Sequence, residues 1–252
     1  MLNIGWFSTG RDEAARQLLQ AVQDKSYSGE INGKISFVFS NREPGEAKES
    51  DLFFELVRSY NIPLVCLSHK KFKPDGEEKD WRIKYDKVVS KKIELFAPDL
   101  CVLAGYMLIV SEELCQKYDM INLHPAPPGG PTGSWQEVIW TLIQNKADTA
   151  GAMMHLVTPE LDKGPAVSYC LFPIKGEPFA EYWQKDDKNM LLRLIRQHEL
   201  AREFPLIILT LQSLSRGEVG IKDRRVIDAQ GKPIKGYDLS AKIDREVEGR
   251  LK

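Results

Sequence analysis

No apolar stretch of the 252-residue chain approaches the roughly 20 residues that carry a helix across a bilayer, so no membrane partner is expected. Charge of one sign is not in excess either. The 35 Lys and Arg stand against 36 Asp and Glu, a net charge of −1, which argues against a protein that coats nucleic acid or an anionic membrane. Cysteine is scarce. Cys66, Cys101, Cys115 and Cys170 lie in separate apolar stretches with no CxxC pair, so neither a disulfide framework nor a zinc site is expected. The opening residues Met1–Phe7 lack a basic n-region and a small-residue cleavage site, so a cytoplasmic chain is the expectation. Internal repeats and low-complexity tracts are lacking as well.

With 42% hydrophobic and 28% charged residues, the composition suits one globular α/β domain, alone or with an appendage. Short apolar runs alternate with helical patterns, which predicts an open, mainly parallel, Rossmann-like sheet with helices on both faces. Strands are expected at Leu2–Ser8, Ile35–Phe39, Pro63–Leu67, Leu100–Ala104 and Met120–Leu123, then near Gly151–Val157 and Ala166–Ile174. Helices are expected after Gly10, over Leu52–Tyr60 and Tyr85–Phe96, from Ser111, over Trp135–Gln144, and over a long span Lys188–Ser215. The Lys-rich stretch from His69 to Asp80, with its Pro74-Asp75-Gly76 turn signal, is expected to be an exposed loop. Residues 1–216 form the expected catalytic domain. Residues 217–252 form a C-terminal extension that is expected to hold a short hairpin around Gln230-Gly231 and a polar or helical tail. That extension is free to cover a sheet edge, to support a homodimer, or to stay disordered.

Two segments carry chemistry. Asn122-Leu123-His124-Pro125 lies where a buried strand runs into the loop Ala126–Gly133, six of whose eight residues are Pro or Gly. Ligands of open α/β sheets bind outside the carboxyl ends of strands. Strand alternation turns Asn122 and His124 to one side, which gives an amide donor and a titratable ring facing one crevice. The second segment, His155 to Pro165, joins two strands through a turn carrying Asp162. A carboxylate reaching His124 would fix the ring and favour its charged form. Each segment also has a plain reading: a strand-end Asn and His that satisfy loop backbone, and an Asp-Lys-Gly turn chosen for backbone reasons alone.

Taken together, these segments resemble the folate-dependent formyltransferases. Asn122-Leu123-His124-Pro125 is similar to that family's Asn-x-His-Pro, and Leu161-Asp162-Lys163-Gly164-Pro165 to its Leu-Asp-x-Gly-Pro. The resemblance takes in Phe39-Ser40-Asn41, Ala97-Pro98-Asp99-Leu100 and Leu103-Ala104-Gly105-Tyr106-Met107, over about residues 1–220 in matching order. It is strongest to the branch that formylates glycinamide ribonucleotide in purine biosynthesis. The resemblance implies formyl transfer from 10-formyltetrahydrofolate to a primary amine, with no metal and no covalent enzyme intermediate. Asn122 would donate to the oxyanion. His124, kept protonated by Asp162, would stabilise the same charge. Asp162, directly or through water, would take the amine's proton.

By the same resemblance, the folate would lie along Met107, Leu108, Ile109 and Val110 and against Val157 and Thr158. Arg82 aligns with an Arg beside the folate's glutamate tail, or is simply an exposed charge at a helix start. His155 aligns with a His beside the site, or is a packed strand residue. The acceptor would meet Gly10, Arg11 and Asp12, with Glu199 aligning loosely to a Glu of the last helix. Here the sequence departs from the family's Ser-Gly-x-Gly-Ser-Asn phosphate loop and reads Ser8-Thr9-Gly10-Arg11-Asp12-Glu13. Asp12 and Glu13 bring negative charge that Arg11 would offset, or they cap the helix that follows. The expected partners are therefore a small amine and a folate, not nucleic acid. Other readings are an amino-sugar or other small-amine acceptor, a hydrolase acting on the same folate, and a non-catalytic folate-binding protein. The related deformylases carry a regulatory domain ahead of the first strand, which here begins at once. Methionyl-tRNA as acceptor would call for a basic patch or a large C-terminal domain, and neither is evident.

Overall fold

The computed structural model describes residues 1–73 and 80–247. The Pro74-Asp75-Gly76 turn and the last residues of the tail lie outside them. The described chain divides into two compact units.

The first unit comprises Met1–Asn122 with Val157–Pro159. In chain order it holds β1 (Leu2–Phe7), α1 (Glu13–Tyr27), β2 (Gly33–Ser40), α2 (Lys48–Ser59), β3 (Leu64–Cys66), α3 (His69–Phe72), α4 (Trp81–Ile93), β4 (Leu100–Leu103), α5 (Glu112–Lys117) and β5 (Met120–His124). The last two residues of β5 already belong to the second unit. β1 pairs in parallel with both β2 and β4, β2 with β3, and β4 with β5, which gives the order β3-β2-β1-β4-β5. The longer helices between the strands bury apolar stripes, as Ala15, Leu18, Leu19 and Val22 do on α1. Alternation along the strands splits the apolar residues between two faces. Phe7, Phe37, Phe39, Cys101 and Leu103 share a core with Tyr85, Val89 and Ile93 of α4 and Leu114 of α5. Ile4, Trp6, Val38 and Val102, turned the other way, are equally buried, and α1 packs against α2 and β2. A fully buried Phe or Leu of this kind contributes about 2–3 kcal/mol. The mainly parallel sheet with helices on both faces is therefore present.

The expected loop from His69 is partly helical. Ser68 caps α3 by accepting from the Lys71 N–H, and one short turn forms without an apolar stripe to betray it.

The second unit runs over Leu123–Leu156 and from Glu160 onward. It holds α6 (Trp135–Gln144), β6 (Thr149–Leu156), β7 (Ala166–Pro173), α7 (Ala180–Gln184), α8 (Lys188–Ser215), β8 (Val219–Lys222), β9 (Arg225–Asp228), β10 (Tyr237–Asp238) and α9 (Ser240–Val247). β6 and β7 are antiparallel, and β10 lies parallel beside β7. The core joins Val138, Ile139 and Leu142 of α6 to Phe172, Phe179, Leu191 and Ile195. The extension reverses twice: in the hairpin β8–β9, turning at Asp223 and Arg224, both at positive φ, and again at the expected Gln230-Gly231. The latter is a second tight turn that leads to a single bridge between Ile227 and Pro233. The extension covers the free side of β7 through β10, and α9 packs against α8 with an Arg202–Asp244 ion pair at 2.9 Å.

Candidate active site

β5 ends by delivering His124 into the interior, where it is 2% exposed. Its Nε2 lies 3.0 Å from the Pro131 carbonyl of the Pro/Gly loop, and its Nδ1 lies 3.6 Å from Oδ2 of Asp162. The other carboxylate oxygen of Asp162 is 3.6 Å from Nε2 of His155 on β6. The carboxylate thus stands between two buried imidazoles whose rings meet edge to face. The Gly133 N–H donates to it at 3.2 Å.

Local sequence explains this placement. Leu156 N–H bonds the Pro165 carbonyl and closes the connection between β6 and β7. Inside that connection Asp162 adopts φ 54°, a left-handed conformation that Asp tolerates better than most residues. Gly164 follows because a Cβ there would lie 1.6 Å from the Leu156 carbonyl oxygen. Across from it, Ser134 and Glu137 form a capping box that starts α6 and fixes Gly133 one residue earlier.

Charge in the cluster is decided by burial against these partners. Burial pushes the Asp162 carboxyl up. The bond to His155, the His124 ring and the Gly133 N–H outweigh it and hold the group below the usual carboxylate range. For His124 the balance goes the other way. Burial lowers its pKa and outweighs the Pro131 carbonyl and the Asp162 charge, which both raise it. Burial thus works against the expected protonated His124, while the Asp162 carboxylate at 3.6 Å works for it.

In the first unit, half-buried Asn122 lies on β5 opposite Leu103 of β4, two residues before His124. The segment after β4 splits by exposure. Met107 and Ile109 are 49% and 39% exposed, whereas Val110 is buried in the core, with Leu108 packed against it. Val157 belongs to the same core, and Thr158 is half-buried. Arg82 stands exposed in the first turn of α4, its guanidinium 5.6 Å from the Trp81 ring. Gly10 sits at φ +62° with a would-be Cβ 2.8 Å from Phe53, so no other residue fits there unstrained. Arg11 is exposed and bonds Asp12 and the Met107 sulfur. Asp12 is the N-cap of α1, accepting from the Ala15 N–H at 3.0 Å. In the second unit, Glu199 has no exposed surface. It accepts from Arg196, which also holds Glu203, and burial pushes its carboxyl up to about 8. Glu199 therefore presents no face to an acceptor.

Sequence reading did not single out the Pro131 carbonyl and Gly133 N–H. The signal for them was the Pro/Gly loop itself, whose Gly133 is at φ +109°. It left His155 open between site and core; the ring is buried and lies 3.6 Å from Asp162. A cavity of about 510 Å³, lined by Pro127, Pro128, Leu142, Tyr169 and Lys235, contains none of the expected site residues. Among the described residues no cluster of His, Cys, Asp and Glu could hold a metal ion, and no helix is long and apolar enough to cross a membrane.

The family described as Formyl transferase matches residues 7–181. Phosphoribosylglycinamide formyltransferase of Escherichia coli (strain K12) is 31% identical over 163 residues, which cover 62% of this chain and 68% of that protein. Formyltetrahydrofolate deformylase of Haemophilus influenzae is 30% identical over 149 residues, 57% of this chain and 46% of that protein. Among solved structures, the phosphoribosylglycinamide formyltransferase of Coxiella burnetii in complex with CHES superposes with a TM-score of 0.73 at 22% identity, covering 94% of this chain and 98% of that one.

Proposed function

The chain belongs to the formyl transferase family, and from that premise we propose that it transfers the formyl group of 10-formyltetrahydrofolate to the primary amine of glycinamide ribonucleotide, in cytoplasmic purine biosynthesis. The observation that carries the chemistry is the Asp162 carboxylate, held by the Gly133 N–H at 3.2 Å between two imidazoles.

In this reading the neutral amine attacks the formyl carbon and the carbonyl π pair moves onto oxygen. The Asn122 amide donates to that oxyanion. His124 begins neutral and, as the growing negative charge raises its proton affinity, holds in passing the one proton that Asp162 takes from the amine, before that proton reaches the folate nitrogen. Asp162, ionised and backed by His155, takes the proton that the amine nitrogen sheds, directly or through one water. The C–N bond to the folate nitrogen then breaks, and that nitrogen takes a proton as it leaves. The exposed side chains of Met107 and Ile109 fit a flat apolar ring system, and the backbone beside them offers its polar edge. Leu108, Val110 and Val157 stiffen that wall from behind. Arg82 is the cation on offer to the folate's carboxylates, and Arg11, beside Gly10, is the one on offer to the ribonucleotide's phosphate. Residues 1–216 carry the reaction, while the remainder serves the second unit through β10 and α9.

The deformylase relative supports a second reading, in which water replaces the amine. The two differ in whether folate turnover needs the ribonucleotide. Asn122→Ala tests the assigned chemistry: loss of one oxyanion donor is expected to lower kcat by about 10²–10³ with folate affinity kept. Full activity in that variant would remove Asn122 from the mechanism.

A further inference from the structure

One buried side chain of the first unit ties together the two loops assigned above to the acceptor and the folate, and the assigned chemistry makes no use of it. Thr9, 2% exposed, directly precedes Gly10. Its hydroxyl donates to Oδ1 of Asn41 at 2.8 Å and accepts from the Met107 N–H at 3.0 Å. Its N–H donates to the Gly105 carbonyl at 3.1 Å, and its own carbonyl accepts from the Ser50 hydroxyl at 3.0 Å. Every polar atom of the residue is thereby engaged, with partners from the ends of β2 and β4 and from α2. A second tie runs outside the first, from Arg11 Nη1 to the Met107 sulfur at 3.1 Å.

The sheet does not need this hydroxyl. β1 and β4 are already joined along their length, and the ladder continues through the Ala104 N–H to the Phe7 carbonyl. A buried hydroxyl that only filled space would be replaceable by an apolar group of the same shape. What the Thr9 hydroxyl adds is a fixed distance between Gly10–Asp12 and Met107. It sets the backbone of a residue whose side chain is otherwise exposed. Holding two reactants at attack distance is worth far more in rate than in binding, and a displacement of about 1 Å can cost on the order of 10²-fold.

We infer that Thr9 is a positioning residue that locks the acceptor loop to the folate loop through its bonds to Asn41 and Met107. This rests on the function proposed above.

The test compares Thr9→Val, which keeps the shape and loses both hydroxyl bonds, with Thr9→Ser, which keeps them. The substrates are 10-formyltetrahydrofolate and glycinamide ribonucleotide. Thr9→Val is expected to lower kcat by about 10- to 100-fold while both KM values stay within a few-fold. The Met107 amide should then exchange its hydrogen faster, and Thr9→Ser should restore kcat. If Thr9→Val does not fold, Asn41→Ser removes the partner of the hydroxyl proton, and a smaller fall in kcat is expected. Folded Thr9→Val or Asn41→Ser with wild-type kcat overturns the positioning role and leaves the proposed function standing. A wild-type chain without formyl transfer overturns the proposed function, and this inference with it.

Discussion

Replacing Asp162 by Asn removes one charge and little else. Asn is nearly the same size, tolerates φ near 54°, and its carbonyl can still accept from the Gly133 N–H. What disappears is the anion 3.6 Å from a His124 ring that must charge during the reaction. For unit charges at that separation and an effective dielectric constant of about 20, the attraction is roughly 4–5 kcal/mol. The side chains are 3% and 9% exposed, so solvent screens little of it. Each 1.36 kcal/mol is tenfold in rate, and losing half to all of that attraction lowers kcat by roughly 10²–10³. Loss of the base adds to the fall. None of this concerns the wall at Met107 and Ile109, so folate affinity should stay within a few-fold. Steady-state formyl transfer gives kcat, and fluorescence titration with the folate gives the dissociation constant. An Asp162→Asn protein with kcat within about twofold of wild type would refute the charge argument.

The lowered pKa of His124 has a consequence for stability. A ring kept neutral on folding contributes stability that is complete above about pH 6.5 and is lost as pH falls through its lower folded value. Wild type should lose more unfolding free energy between pH 7.5 and 5.5 than His124→Gln, measured by urea denaturation; half-buried His198 acts in the same sense but is common to both proteins. Equal losses would contradict the assignment. Gly164→Ala would put a methyl group against the Leu156 carbonyl and displace Asp162. Its melting temperature should fall by an amount matching about 1–3 kcal/mol, together with kcat, and an unchanged melt would show that the connection yields freely.

Long, periodic elements were readable in the sequence. Trp135–Gln144 and Lys188–Ser215 form helices at the bounds expected from their patterns, one opened by a capping box and the other by Asp187 accepting from the Met190 N–H. β5 was readable because Met120, Ile121 and Leu123 lead straight into His124-Pro125 and a Pro/Gly loop. Short elements were not. α3 spans four residues without a buried side chain, and β10 is a two-residue strand beside β7. At the site, motif order pointed to Asn122, His124 and Asp162, but the charge on His124 depends on burial that residue order does not report. The same limit applies to Met107–Val110, read as one ligand wall although alternate side chains turn into the core, and to Glu199, whose surroundings hide it.

Spectroscopic assay of folate turnover, with and without glycinamide ribonucleotide, addresses the proposed function most directly. 10-Formyltetrahydrofolate is expected to be converted only when the ribonucleotide is present, with one formyl group appearing on the amine for each folate released. Turnover at the same rate without the ribonucleotide would make water the acceptor, and no turnover under either condition would contradict the transferase reading outright.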